Sequence, residues 1–187
     1  TGSIGILEST TVKAVGYMLT DGVLTKITEV FEVTLFSANQ PIEDYFEIDE
    51  YGEITSYNGH FTDLVIPDTI DGIEVKSITP SLFKGSELVS VEIPSSCTTL
   101  GGYVFQDCLS LEKVLAPGVE KIYISAFRHC PNIEIVSSSA LNDGEKGIYL
   151  PKLQEALSYA FSANTALKSV RLDGLTTIGD ALFYGCS

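Results

Sequence analysis

Phenylalanine returns along this chain at a fixed interval: Phe83, Phe105, Phe127, Phe161 and Phe183 are separated by 22, 22, 34 and 22 residues. The same frame surrounds each one, as in Ser81-Leu82-Phe83-Lys84-Gly85, Tyr103-Val104-Phe105-Gln106-Asp107-Cys108 and Ser125-Ala126-Phe127-Arg128-His129-Cys130. The other two copies are Tyr159-Ala160-Phe161-Ser162-Ala163-Asn164 and Ala181-Leu182-Phe183-Tyr184-Gly185-Cys186. A unit of this length cannot bury its own apolar face. Such units must stack, each closing the core of its neighbour, so a solenoid is the expected outcome.

The rest of the frame supports this. Five or six residues after the Phe comes an aliphatic residue, at Leu88, Leu111, Ile133 and Leu167. A short extended run follows and ends at proline in four copies: Leu64-Val65-Ile66-Pro67, Val91-Glu92-Ile93-Pro94, Val114-Leu115-Ala116-Pro117 and Ile148-Tyr149-Leu150-Pro151. The fifth copy, Val170-Arg171-Leu172-Asp173, has Asp instead. Two further apolar positions lie three apart, at Val75/Ile78, Cys97/Leu100, Val119/Ile122, Leu153/Ala156 and Leu175/Ile178. Each unit therefore reads as a strand, a turn and a brief helical or 3-10 segment carrying the Phe. Alternate strand residues face inward and the strands of successive units pair in parallel. Proline is harmless where no further ladder N–H is required.

The frame Leu-x-x-Val-x-Ile-Pro-x-x-Val-x-x-Ile-x-x-x-Ala-Phe-x-x-Cys resembles the BspA-type leucine-rich repeat of bacterial surface proteins. Its closest local copy is Ala116-Pro-Gly-Val119-Glu-Lys-Ile122-Tyr-Ile-Ser-Ala126-Phe127-Arg-His-Cys130, and the resemblance covers residues 45–187. It implies a leucine-rich-repeat solenoid in a secreted or cell-surface adhesion protein that binds host matrix proteins or other cells. No catalytic residue comes with it.

Residues 45–66 read as a β-meander capping the stack. Glu50-Tyr51-Gly52 makes the first turn and Asn58-Gly59 carries a type I′ hairpin signal, while Asp71-Gly72 reads as a later turn. Residues 1–44 lie outside the repeat and are a possible piece of a preceding domain. Asp21 to Asn39 fits an amphipathic helix with Leu24, Ile27, Phe31 and Leu35 on one face, yet its Val, Ile, Thr and Phe content equally favours strand. The chain stops at Ser187 inside a repeat, so either the natural protein continues or this end meets another chain, and the first is the expectation. It opens at Thr1 without Met, so any signal peptide is expected to have been removed or omitted.

The irregular 34-residue interval contains a 12-residue insertion between Val136 and Ile148, either of which fills the same strand position. Small and polar residues dominate at 137–147. A surface loop is expected there, and Leu141 and Asp143 make it a candidate specificity element.

The formal charge of −14, with only 11 Lys and Arg and no basic patch, excludes nucleic acid as the natural partner. Anionic lipid is disfavoured for the same reason. No run of 18 apolar residues is present, so no transmembrane helix is expected.

No catalytic residue, cofactor or metal is expected either. Cys108, Cys130 and Cys186 share one repeat position, where Ser86 and Asn164 stand in other copies, and they read as buried packing thiols. Rung spacing leaves a Cys108–Cys130 bridge open. His129 adjoins Cys130, but sequence neighbours rarely face one another and the sequence offers no orienting acid. The acidic group Glu43, Asp44, Glu47, Asp49, Glu50 and Glu53 lacks calcium-loop spacing.

What remains is a surface. Val65, Glu92, Leu115, Tyr149 and Arg171 occupy one outward strand position, with Lys113 and Ser169 one step earlier on that face. Tyr and Arg are favoured at binding hot spots. The expected function is a non-catalytic interaction module for a protein or glycan ligand, located outside the cell. A structural spacer presenting another domain is the alternative.

Overall fold

A computed structural model describes residues 10–20, 23–35, 41–138 and 146–186. Two compact units divide at Pro41/Ile42. In the first, β1 (Thr10–Thr20) pairs antiparallel with β2 (Val23–Leu35), Thr10 opposite Leu35 and Thr20 opposite Val23, with a bulge between Val15 and Tyr17. The helical alternative for this region is therefore wrong. Its β-branched and aromatic residues prevail over the 3.6-residue spacing of its leucines.

The second unit opens with a 3-10 turn, Ile42–Tyr45, followed by the antiparallel pair β3 (Phe46–Ile48) and β4 (Glu53–Tyr57). The solenoid then begins at β5 (Asp63–Val65). A small antiparallel hairpin, β6 (Thr69–Ile70) and β7 (Ile73–Glu74), turns through Asp71 and Gly72 at φ 51° and 77°, as the Asp-Gly dipeptide predicts. Next come β8 (Ser77–Ile78), β9 (Ser90–Glu92), β10 (Thr99–Leu100), β11 (Lys113–Leu115) and β12 (Lys121–Ile122). The last five are β13 (Ile135–Ser137), β14 (Gly147–Tyr149), β15 (Glu155–Ala156), β16 (Val170–Arg171) and β17 (Thr177–Ile178).

These strands build two parallel faces. The first sheet runs β5-β9-β11-β13-β14-β16, and the second runs β3-β4-β8-β10-β12-β15-β17 with only β3 antiparallel. The apolar pairs three apart thus end in strands of their own, which the sequence reading did not assign. The prediction for Asn58-Gly59 also fails. Across β4 lie β3 and β8, and β5 pairs with β9 instead of folding back. Parallel stacking with the next repeat satisfies the β5 backbone in place of a hairpin.

The Phe segments form a third face, and here the expected helical turns are absent. The amides of Ser81, Phe83 and Gly85 donate to Gly102, Val104 and Gln106 of the next rung, at 2.9, 3.0 and 2.8 Å. Intervening amides close tight turns, with Lys84 N–H on the Ser81 carbonyl and Ser86 N–H on the Phe83 carbonyl, both at 3.1 Å. With every second N–H committed to a neighbour, a helix cannot propagate. The pattern requires left-handed backbone two residues before and after each Phe, and φ there lies at 54–73° in all five copies, from Ser81 and Gly85 to Ala181 and Gly185.

Within this prism the Phe rings stack face to face. Successive centroids from Phe83 to Phe183 are 5.4, 5.2, 5.4 and 5.6 Å apart, and the ring planes are parallel to within 12°. Tyr57 meets the first ring edge-on at 5.3 Å and itself packs on Phe46 at 4.9 Å. The β3–β4 pair therefore closes the aromatic column at that end.

The 34-residue interval holds more than a loop. Val136 of β13 and Ile148 of β14 are register partners on adjacent strands. The two residues expected to fill one position fill two. The first sheet gains a strand there, while β12 pairs directly with β15 and Phe127 stacks directly on Phe161.

Candidate functional site

The first sheet presents one outward column whose register runs Val65, Glu92, Leu115, Ser137, Tyr149, Arg171. Their backbone neighbours Leu64, Val91, Val114, Val136 and Ile148 point inward and are buried, as alternation along the strands dictates, whereas Val170 beside Arg171 is exposed. Val65 and Arg171 are exposed at the two ends and Leu115 and Tyr149 are half-buried between them. The Arg171 guanidinium lies 5.1 Å from the Tyr149 ring centroid, and its Nε donates to Asp173 at 2.8 Å. The carboxylate and the ring together position the guanidinium over the aromatic ring.

Lys113 stands two residues before Leu115, in register with Ser90 and Ile135. Around it Ser90 donates to Asp63 at 2.6 Å, and Lys146 pairs with Glu134 at 2.6 Å. Ser169 is turned into the sheet edge, donating to the Lys146 carbonyl at 2.6 Å. Sequence reasoning missed Ser137, which is almost fully buried in the middle of the outward column. Its only signal was the irregular interval. Leu141 and Asp143 lie outside the described residues.

The repeat cysteines are free thiols. Cys108, Cys130 and Cys186 donate to the carbonyls of Phe83, Phe105 and Phe161 at 3.0, 3.0 and 2.9 Å. Each thiol is thus spoken for by the rung below, and Cys108 and Cys130 are not bridged. In the copy that carries Asn164 instead, the Asn164 Oδ1 accepts the Cys130 N–H at 2.8 Å. Burial pushes the Cys108 and Cys130 thiols up and Cys97 up to about 12, so all three are held neutral.

His129 does have an acid beside it, contrary to expectation: Asp107 Oδ1 is 2.8 Å from its Nδ1. The two occupy equivalent turn positions on adjacent rungs, a relationship that 22-residue spacing conceals. The Cys130 thiol nevertheless points inward to Phe105, away from that pair. In the acidic hairpin, Asp49 Oδ1 accepts the N–H groups of Tyr51 and Glu53 at 2.9 and 2.8 Å, acting as a turn cap. Among the described residues no cluster of three or more His, Cys, Asp or Glu side chains could hold a metal, and no helix is long and apolar enough to cross a membrane.

The chain is similar to several solved bacterial structures. It shares 25% identity with the leucine-rich-repeat protein TpLRR of T. pallidum, covering 75% of this chain and 74% of that one at a TM-score of 0.63. A leucine-rich-repeat protein from Bacteroides ovatus is 22% identical, with 75% of this chain and 43% of that one covered at a TM-score of 0.53. The chain thus spans less than half the length of the latter. No curated protein matches. The family model for the BspA type leucine-rich repeat region matches six copies over residues 52–187. That is one more than the five Phe-centred frames. This chain belongs to the BspA-type leucine-rich-repeat family.

Proposed function

We propose that this domain is a non-catalytic interaction module of a secreted or cell-surface protein, adhesive in character, which engages a host or matrix protein or a glycan through the outer face of its first sheet. The supporting observation is the continuous column Val65-Glu92-Leu115-Ser137-Tyr149-Arg171, with the Arg171 guanidinium over the Tyr149 ring. A rigid parallel sheet fixes these side chains at regular intervals, so little ordering entropy is lost when a partner docks. Lys113 extends the same face, and Leu141 and Asp143 belong to the segment linking β13 to β14.

The test is binding of the 187-residue protein to immobilised matrix proteins and to whole cells, before and after combining Leu115→Glu and Tyr149→Glu. Loss of binding with an unchanged unfolding midpoint supports this reading. Unchanged binding removes the sheet from consideration, and no binding at all by the parent favours a spacer.

A further inference from the structure

The bonds between successive Phe turns join into continuous columns of amides. Phe83 N–H donates to the Val104 carbonyl, and the same peptide unit offers Phe105 N–H to Ala126. The column runs on through Phe127 to Ala160 and Phe161 to Leu182, its four bonds measuring 3.0, 2.8, 2.8 and 3.0 Å. Parallel columns start with Ser81 N–H on Gly102 and Gly85 N–H on Gln106, and every donor in them points toward the C-terminal end of the stack. Peptide dipoles aligned head to tail add, and hydrogen-bonded amides polarise one another. The carbonyls that open the columns, those of Pro80, Leu82 and Lys84, therefore form their negative pole.

The cap does not continue these columns. Ile54 is the register partner of Ile78, which places Gly59 where the later rungs carry Phe. Tyr57 supplies the ring instead, edge-on to Phe83 at 5.3 Å. It lies so close to Gly59 that an added Cβ would meet its phenol oxygen at 2.5 Å. The cap amides are committed elsewhere, Asn58 N–H to the Tyr45 carbonyl at 3.0 Å and Phe61 N–H to the Tyr57 hydroxyl at 3.4 Å. Among the described residues no backbone N–H reaches the carbonyls of Pro80, Leu82 or Lys84. Their counterparts in later rungs all face the preceding rung, so these three face the cap.

A cavity of about 230 Å³ opens at this junction, between Tyr57, Gly59 and Phe61 on one side and Leu82, Lys84 and Glu87 on the other. Phe61 is an exposed aromatic wall, set edge-on to Tyr45 at 5.3 Å. Lys84 and Glu87 are both exposed at the rim and their formal charges cancel, so the aligned carbonyls decide the polarity within. Carbonyl oxygens only accept, which turns away carboxylates and phosphates and selects a ligand whose polar atoms all donate. Ammonium and guanidinium groups meet that condition. Both are also drawn to aromatic rings and to a chain of net charge −14.

We infer that this cavity receives a basic side chain, lysine or arginine, of a protein partner. Its N–H groups take the place of the missing rung on the Leu82 and Lys84 carbonyls, and its alkyl stem lies along Tyr57 and Phe61. The cavity shares no residue with the outward column of the first sheet, and neither reading depends on the other.

The test is NMR titration of the isotope-labelled 187-residue protein, following the backbone amides of Gly59, Ser86 and Leu88. The probes are N-acetyl-lysine methylamide and N-acetyl-arginine methylamide. Their norleucine and citrulline analogues serve as neutral isosteres, and tetramethylammonium as a cation without N–H donors. At least one basic amide should shift these resonances saturably at millimolar concentration, and its neutral isostere should bind about tenfold more weakly or worse. Lys84→Gln should tighten binding and Glu87→Gln weaken it, each by about twofold to fivefold because both side chains are exposed. Tyr149→Glu on the first sheet should leave the affinity unchanged. The proposal is overturned if neither basic amide shifts these resonances, or if the neutral isosteres or tetramethylammonium bind as tightly. It is equally overturned if the two rim variants move the affinity in the same direction.

Discussion

Cys130 donates its thiol to the Phe105 carbonyl 3.0 Å away, one rung down the stack. The carbonyl is buried with the ring that carries it. Replacing Cys130 with Ala should destabilise the domain by about 1–3 kcal/mol, because a fully buried sulfur is removed and the Phe105 carbonyl keeps only the Cys108 N–H at 3.3 Å. Cys130→Ser, which keeps a donor and resembles Ser86, should fall between the two. Urea unfolding measures both, and an alanine variant as stable as the parent would show the bond to be inert.

Cys97 has a different signature, in alkali. Its thiol is pushed from 9.0 up to about 12 by burial, so between those values the unfolded chain loses a proton that the folded chain retains. The folded state then binds more protons, and stability falls as pH rises, by about 1.4 kcal/mol per pH unit from this group. Cys97→Val, matching Val75 and Val119 in the same column, should flatten the pH 9–12 slope by that amount. Identical slopes for the two proteins would exclude this assignment.

The stacked rings predict a gradient of sensitivity. Phe127 is fully buried between Phe105 and Phe161, and its truncation to Ala should cost about 3–5 kcal/mol. Phe183 has a stacking partner only in Phe161 among the described residues and is half-buried. Its truncation should cost less. Equal losses in thermal or urea unfolding would refute a nearest-neighbour stack.

Removing residues 138–149 should restore a regular repeat. The deletion joins Ser137 to Leu150 and reduces the 34-residue interval to 22. Val136, Pro151, Leu153 and Ala156 then fall where Val114, Pro117, Val119 and Ile122 lie in the preceding copy. The shortened chain should unfold cooperatively with its Phe column intact. A molten product with lost near-ultraviolet dichroism would count against β14 being a self-contained extra strand.

The inward positions were legible in the sequence because burial imposes periodicity: Val91, Val114 and Ile148 recur for the same reason as the Phe column. Five members of the outward column followed from alternation, but Ser137, in the strand that the 34-residue interval conceals, did not. Three further features were not legible. Two-residue strands such as Lys121–Ile122 are too short to carry a period, and their pairing comes wholly from neighbouring rungs. The Phe turns mimic a helix in apolar spacing, and only the destination of alternate amides tells the two apart. Finally, Asp107 and His129 meet across rungs, so neither residue's local sequence announces the other.

The unequal sheets have a geometric consequence. β14 separates β13 from β16 on one face, yet no counterpart separates β12 from β15 on the other. In a crystal this would be an edge dislocation, an extra half-row that terminates inside the lattice. The Phe127 and Phe161 rings on either side of this point stay parallel to within 2° at 5.4 Å, so the aromatic column runs on undisturbed and the first sheet alone takes up the added row. Val65, Glu92 and Leu115 precede that row in the outward column, and Arg171 follows it. A partner spanning the column therefore meets one strand that has no counterpart on the second sheet.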